Sequence, residues 1–424
     1  LVLAYSNNSE LAAARAALRV TNEERPQAFA GWMPQVTGAV GQDRNLSDVE
    51  TASVASTITN TQKRSVTLSQ PLYKGGRTTA RLEKADLTIL SQRNVLLRTE
   101  QTVLLGAVTA YANVLRDRII ERLRRDNVGL LARRLEATRV EFDLQQRTLA
   151  DLSQAQARLG QAQANLTEAV SNLANSIANF RRIVGQPPGD LSEAGPMEKL
   201  PATMDEAVSV ALSDNPEVVV ARLAVNLAES DVKINTRTLL PSVDLNSTIS
   251  FQDAKVRGGA VGTETYEVTA GISVSVPLYQ SGAELSRIRA AKKLVGQRRF
   301  ELDTTLHTTE ENMVNAWRGL IASQARVDSF VGAAEAARVA RDSVSAEFEV
   351  GRRTLLDLLN ANQELLDAEI SLVSARRDII VNSYRISSVA GYLTARQLGL
   401  SVDYYDVETD YERTKWDLFT ISTD

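Results

Sequence analysis

The stretch Phe348-Glu-Val-Gly-Arg-Arg-Thr-Leu-Leu-Asp-Leu-Leu359 decides how this chain folds. Helical patterning runs up to it from near Gly282 and away from it to about Ala390. Gly351, two arginines and a threonine interrupt that pattern, which reads as a tight turn between two antiparallel helices. The stretch has an earlier counterpart, Phe142-Asp-Leu-Gln-Gln-Arg-Thr-Leu-Ala-Asp-Leu152, and Thr354 lies 206 residues after Thr148. Other landmarks recur at nearly the same offset, so the chain reads as one plan used twice.

Working outward, Ser213-Asp-Asn-Pro-Glu217 answers Ser6-Asn-Asn-Ser-Glu10, and Leu240-Pro241 answers Met33-Pro34. Pro277-Leu-Tyr-Gln-Ser-Gly282 answers Pro71-Leu-Tyr-Lys-Gly-Gly76, and Trp317 answers Tyr111. The first repeat spans 1–189. It is expected to hold a helix from about Asn7 to Arg25, ended by Pro26 and by Trp32 to Pro34. Short strands Gln35–Gly41 and Arg64–Gln70 follow, a pair within about 35–70, with a polar loop from Asp43 to about Asn60 between them. A long helix 76–142 and a return helix 149–184 complete it. Residues 190–204 read as an irregular connector. The second repeat spans 205–391, with a strand pair at about 242–276 joined by a Gly-rich loop from Lys255 to Gly262. Its long helix covers 282–347 and its return helix 355–390. The segment 392–424 has no counterpart in the first half.

The long helices run for ~67 residues, or about 100 Å at 1.5 Å per residue. The return helix places Leu152, Leu159, Leu166, Leu173 and Phe180 seven residues apart, with Ala155, Ala162 and Ala169 between them. That is a heptad seam with small residues that admit a close neighbour, as in a coiled coil. With 424 residues, 43% hydrophobic and 24% charged, the composition is ordinary for a globular chain; aromatics are only 5%. A net charge of −4 points to no nucleic-acid partner. The absence of cysteine removes disulfides, thiolate metal sites and cysteine nucleophiles. No apolar run reaches the 18 residues that a membrane helix needs. The chain begins at Leu1 rather than Met, consistent with a removed leader that the sequence itself does not display. No nucleophile–base set, phosphate loop or ligand-spaced His/carboxylate cluster occurs, so the reading is non-enzymatic, with no catalytic residue, cofactor or metal.

Each strand has one apolar and one polar face, a pattern shared by membrane strands and soluble sandwich strands. Two features favour the membrane. Four strands are too few to cover their own apolar faces, and the adjoining helices are too long to fold back over them. Four strands do not close a barrel, and an open edge in lipid leaves backbone groups unpaired at several kcal/mol each. Several chains must then share one barrel, of about eight strands for a dimer or about twelve for a trimer. The helices, stacked end to end, give four columns per chain and a hollow helical cylinder. The alternative is a soluble or surface helical rod with a structural or adhesive role.

These features together resemble the TolC family of outer-membrane channel proteins. The resemblance covers nearly the whole chain and rests on the duplicated halves, Ser213-Asp-Asn-Pro-Glu217, Leu240-Pro-Ser-Val243, Pro71-Leu-Tyr73, Pro277-Leu-Tyr279, Thr109-Ala-Tyr-Ala-Asn-Val114 and Gly351-Arg-Arg-Thr-Leu-Leu-Asp-Leu-Leu359. Tyr405-Asp406, Tyr411 and Trp416 also look like the tail of members that serve type I secretion and drug efflux. The resemblance implies a mainly α fold with a small β part, built as a homotrimer. A 12-stranded transmembrane β-barrel would be continuous with a 12-column periplasmic α-helical barrel, with 392–424 forming an equatorial segment. It implies a passive exit duct in the outer membrane of a Gram-negative bacterium, spanning into the periplasm. A periplasmic adaptor (membrane fusion) protein and an inner-membrane ABC or RND-type transporter would be its partners, beside the lipid bilayer.

The resemblance also implies site residues. Asp357, with Asn360 where the family often has Asp, and Asp151 in the first half fall at the entrance constriction. The plain reading of Asp357 is a solvated charge at a helix start. Arg353, repeated as Arg147, matches an arginine that ties the second turn to the first near Ala150 and Asp151. The plain alternative is an exposed turn arginine. Gly351, Arg352, Gln145 and Gln146 are the implied adaptor contacts, although Gly351 is simply explained as a turn residue with positive φ. Tyr73 and Tyr279, after prolines at strand-to-helix junctions, suit a membrane-interface belt or junction packing. The arginines between Arg116 and Arg134 read as a solvated helix face, and His307 as a structural residue.

Overall fold

A computed structural model of the chain describes residues 1–47, 57–257 and 262–417. In order the elements are α1 (Val2–Asn7), α2 (Ser9–Asn22), α3 (Glu24–Phe29), β1 (Gln35–Ser47), β2 (Thr57–Tyr73), α4 (Arg77–Asp143) and α5 (Leu149–Val184). Then follow α6 (Met204–Asp214), α7 (Pro216–Thr236), β3 (Ser242–Val256), β4 (Thr263–Ser275), α8 (Ala283–Glu349), α9 (Leu355–Val389) and α10 (Val407–Thr414). The fold is mainly helical with a small sheet. Both α4 and α8 have 67 residues, and their ends correspond at the 206-residue offset. Among the described residues no helix is long and apolar enough to cross a membrane.

Three expectations change. The first helix is not continuous: Glu23 separates α2 from α3, Asn8 sets off the short α1 before them, and the chain stays helical past Pro26 to Phe29. Pro26 is tolerated because it stands in the first turn of α3, where its missing N–H has no intrahelical acceptor to lose. The strands outrun their apolar alternation, since β1 continues to Ser47 and β2 begins at Thr57. Polar rows such as Asn45 opposite Thr59 still carry the ladder, because backbone pairing does not require an apolar side chain. Residues 48–56 of the expected polar loop, 258–261 of the Gly-rich loop and 418–424 of the tail lie outside the described residues.

The chain divides into two compact units. One comprises Leu18–Arg93, Ala221–Leu302 and Asp406–Asp424 and contains the sheet, an antiparallel meander in the order β1-β2-β3-β4. Register sorts its side chains cleanly. Val40, Arg64, Phe251 and Tyr266 form one cross-strand row; Gly38, Val66, Ile249 and Val268 form the next. Val36, Leu68, Ser247 and Ala270 follow, then Gln70, Leu245 and Ile272, then Val243 and Val274. The opposite face is polar and hydrogen-bonded: Thr67 to Thr248 at 3.2 Å, Ser69 to Asn246 at 3.0 Å, and Asn246 to Ser273 at 3.0 Å. The apolar face is left open: Val36, Val40, Val66, Ile249, Val268, Ile272 and Val274 are all exposed. Salt bridges Lys74–Asp244 at 2.6 Å and Lys84–Asp231 at 2.7 Å hold the sheet base and the neighbouring helices together. The tail docks in this unit, with Arg93 on Glu408 at 2.9 Å and the Phe29 ring edge-on to Trp416 at 5.4 Å.

The other unit comprises Leu1–Ala17, Asn94–Val220 and Asp303–Tyr405. It holds the helical turns. Ala155, Ala162 and Ala169 of α5 are buried, as the heptad seam requires. The seam also carries matched polar ties: Ser176 donates to Asp117 between α5 and α4, and Asn382 donates to Ser323 at 2.9 Å between α9 and α8. The return helices end on matched junctions. Asn8 caps α2 through its Oδ1 and donates from Nδ2 to the Ile183 carbonyl at 2.9 Å. Asn215 accepts from the Glu217 N–H and donates to the Val389 carbonyl at 2.8 Å. Gly185 and Gly391 follow these carbonyls with φ of 88° and 87°. Further on, the Ala395 N–H donates to Glu100 at 2.6 Å, and burial pushes that carboxyl above its ordinary range.

A Cβ at Gly391 would stand 2.7 Å from the Asp214 carbonyl oxygen, whereas at Gly185 it would meet the Asn7 side chain at 3.2 Å. Gly391→Ala should therefore lower the thermal midpoint in detergent clearly more than Gly185→Ala, since both strain φ and only the first displaces backbone. Equal losses would count against this packing.

Candidate functional site at the helix turns

Both hairpin turns are built the same way. At the end of α4 the Gln146 N–H reaches the Glu141 carbonyl at 2.8 Å and the Gln145 N–H reaches Phe142 at 2.9 Å. At the end of α8 the Arg352 N–H reaches Glu347 at 2.8 Å and the Gly351 N–H reaches Phe348 at 3.0 Å. These are paired Schellman stops, which need a left-handed residue at the second position past the last helical one. Gly351 takes φ 78° there without steric cost, and Gln145 takes φ 61° against its Cβ.

The return helices start on capping boxes. Thr354 Oγ1 accepts from the Asp357 N–H at 3.2 Å, and the Asp357 carboxylate accepts from the Thr354 N–H at 3.0 Å and hydroxyl at 2.8 Å. Thr148 and Asp151 repeat this at 3.1, 3.1 and 2.8 Å. The Thr354 N–H and hydroxyl hold the Asp357 carboxyl below its usual range; the Thr148 hydroxyl and N–H do the same for Asp151. Both candidate constriction acids thus have a local structural role. The Thr-x-x-Asp spacing that signals it is legible in the sequence.

The arginines lie inside their own turns. Arg353 Nε donates to Glu347 at 2.7 Å, and Arg147 Nε donates to Glu141 at 2.7 Å. Among the described residues, the contact between the two turns is made from the first-half side. The Arg147 guanidinium stacks 4.7 Å from the Phe348 ring centroid, and Arg134 covers the same ring at 4.5 Å. Phe348 is buried with Leu355, Leu358 and Leu359 against Leu131, Ala155 and Ala162. Asn360, a candidate constriction residue, accepts from Arg158 Nη2 of α5 at 2.8 Å. Arg352 and Gln146 are exposed beside Gly351 and Gln145 at the turn surface. Arg158 and Phe348 were not legible as contact residues, because their partners lie on helices far apart in sequence; Glu141 and Glu347, six residues before their arginines, are local partners that the sequence reading passed over.

The junction tyrosines belong to the sheet-bearing unit. Tyr73 ends β2 and is half exposed, and Tyr279 is 85% exposed between β4 and α8. His307 is exposed on α8. Among the described residues no group of three His, Cys, Asp or Glu is placed to hold a metal. Arg116 pairs with Asp117 and Arg125 with Glu121, but both carboxylates are buried, so the stretch expected as a solvated helix face turns part of its charge inward, where Asp117 also accepts from Ser176.

An open apolar band on a short antiparallel sheet, in a chain whose two 67-residue helices, each about 100 Å long, turn back into shorter return helices with small-residue seams, is the build of a membrane export channel. The profile of the family described as "Outer membrane efflux protein" matches residues 1–186 and 207–392. The chain belongs to this family, the TolC family, and is an exit duct for efflux or type I secretion in the Gram-negative outer membrane, spanning to the periplasm. It is similar to the outer membrane efflux protein BepC of Brucella suis, 33% identical over 423 residues, covering 100% of this chain and 91% of that protein. It is also similar to the alkaline protease secretion protein AprF of Pseudomonas aeruginosa, 25% identical, covering 97% and 88%. In fold it matches the CmeC outer membrane channel of Campylobacter jejuni with a TM-score of 0.82 at 15% identity, covering 98% and 88%. Family membership sets aside the rod reading.

Thr148→Ala and Thr354→Ala should each cost about 1 kcal/mol of stability through the lost cap. Phe348→Ala should cost about 3 to 5 kcal/mol through the emptied seam. Denaturant unfolding in detergent measures all three; a Phe348 variant no worse than the cap variants would contradict the seam.

Proposed function

We propose that three copies of this chain form the duct, each giving four strands to a 12-stranded barrel and four helical columns to a 12-column periplasmic cylinder. The observation that carries this is the sheet. It has one open apolar face, and β1 and β4 are its outer strands, each with one backbone edge that no other strand among the described residues pairs. In lipid those edges need partners, and identical copies supply β4 for β1 around a closed ring. The apolar rows from Val40 to Val36 and on to Val274 span about the 9–11 residues of a membrane strand. Each chain then consists of repeats 1–189 and 205–391, joined by 190–204, with 392–424 as an equatorial segment.

The duct is passive in this reading. The turn surfaces bearing Gly351, Arg352, Gln145 and Gln146 meet a periplasmic adaptor, and an ABC or RND-type inner-membrane transporter supplies energy and chooses the cargo. BepC is named for efflux and AprF for alkaline protease secretion, which supports the reading that cargo choice lies outside the duct. Tyr73 and Tyr279 sit at the membrane interface. Light scattering of the detergent-extracted protein should give three chains per particle, and planar bilayers should show discrete conductance steps. A monodisperse monomer without conductance would overturn the reading.

Asp357 also faces the entrance in this reading. Because Thr354 holds its carboxyl low, its charge persists as pH falls through the ordinary carboxylate range. Asp357→Asn keeps an acceptor for the Thr354 cap while removing the charge, unlike Asp357→Ala. Single-channel cation preference should fall in the Asn variant with little change in melting; an unchanged reversal potential would exclude the entrance role.

A further inference from the structure

Leu149 and Leu355 are the same residue at the same place, the first turn of a return helix behind a threonine cap. Yet Leu355 is 1% exposed and Leu149 is 65% exposed. The difference follows from neighbours. Leu355 lies in the seam where the second-half hairpin meets Leu131, Ala155 and Ala162 of the first. Among the described residues nothing plays that part for Leu149. The stripe continues along both helices. On α9, Leu355, Leu359 and Leu366 are buried; 206 residues earlier on α5, Leu149, Ser153 and Gly160 are exposed.

We infer that this open α5 face is the docking surface for a second copy of the chain, with Gln154 hydrogen-bonded to Glu364 of the partner subunit. The inference rests on the closed-ring reading above, and it names the residues of the seam. Each contact from the first half to the second should recur, moved by 206 residues, from the second half of one copy to the first half of the next. Arg158 donating to Asn360 becomes Glu364 of the partner subunit accepting from Gln154. The donor and acceptor sides exchange, and complementarity survives. Neither Gln154 nor Glu364 makes a side-chain hydrogen bond within the described residues. The same shift turns Arg147 over Phe348 into Arg353 over a partner's Phe142, where both residue types are kept. Leu149 then packs toward the partner's Ala337, the counterpart of Leu131.

The two seams differ in chemistry. Within the chain Leu359 and Leu131 line the contact, and Leu366 further along α9 is buried. Between copies their counterparts are Ser153, Gly160 and Ala337. The seam between copies buries less apolar surface and leans on polar contacts, so it is the weaker of the two.

The cysteine-free chain allows a direct test with paired single cysteines and a short bismaleimide, which tolerates Cα separations that a disulfide does not. Gln154→Cys with Glu364→Cys should move the protein to the two- and three-chain positions in denaturing gels. Arg158→Cys with Asn360→Cys should react within one chain and leave it at the one-chain position. If the trimer forms and the second pair closes while the first stays monomeric or closes internally, the seam is wrong and the ring stands. If no assembly forms in membranes or detergent, both fall. As a second measure, Gln154→Glu sets like charges across the seam and should lower the temperature at which the assembly dissociates, with Glu364→Gln in the same chain restoring it. No change in either variant would also overturn the contact.

Discussion

The backbone of a strand at the edge of a sheet carries a row of N–H and C=O groups with no partner, and lipid offers them none. This chain has a four-stranded sheet with β1 and β4 outermost and an apolar face left open. Every larger feature follows from meeting that demand. The polar face, tied by Thr67–Thr248 and Ser69–Asn246, suits a wet lumen, while the open face suits lipid. A sheet of this kind is half of a problem whose other half is more of the same sheet, which is why the proposed duct is a ring of identical chains.

The same positions in the two halves perform alike where the local backbone dictates the outcome and differ where a neighbour does. Gln145 and Gly351 both go left-handed, because a Schellman stop leaves no other choice. Asn8 and Asn215 both tie a helix break to the end of a return helix. Asp117–Ser176 and Ser323–Asn382 keep a polar tie across the hairpin while exchanging its chemistry. By contrast Phe348 is buried under Arg134 and Arg147, and Phe142 is only half-buried. Helix capping is a property of five or six consecutive residues; burial is a property of what arrives from elsewhere.

The turn residues show how a shared role can hide inside a local one. Asp151 and Asp357 are caps first, and any field they present to a lumen comes from carboxylates already engaged by threonine. Arg147 and Arg353 are neutralised by Glu141 and Glu347 six residues earlier. The charges of these two arginines are therefore balanced within each turn, while Arg352 and Gln146 stay exposed at its surface.

Much of the fold was legible in the linear chain because its signals are periodic and local. The heptad of Leu152, Leu159 and Leu166, the Thr-x-x-Asp starts and the 206-residue repeat placed the long helices within two residues of their ends. Strand ends were less legible, since ladder hydrogen bonds continue through Asn45 and Thr59 without any apolar signature. The sequence alone determined the hairpins, the alternating faces and the family, for each depends on residues near one another or on an order of motifs. Only the tertiary structure decided that Arg147 rather than Arg353 reaches across to the other turn, that Asn360 is held by Arg158, and that Leu355 is covered while Leu149 is bare. Those outcomes depend on which helix lies beside which, and two similar local sequences do not by themselves say which neighbours will cover them.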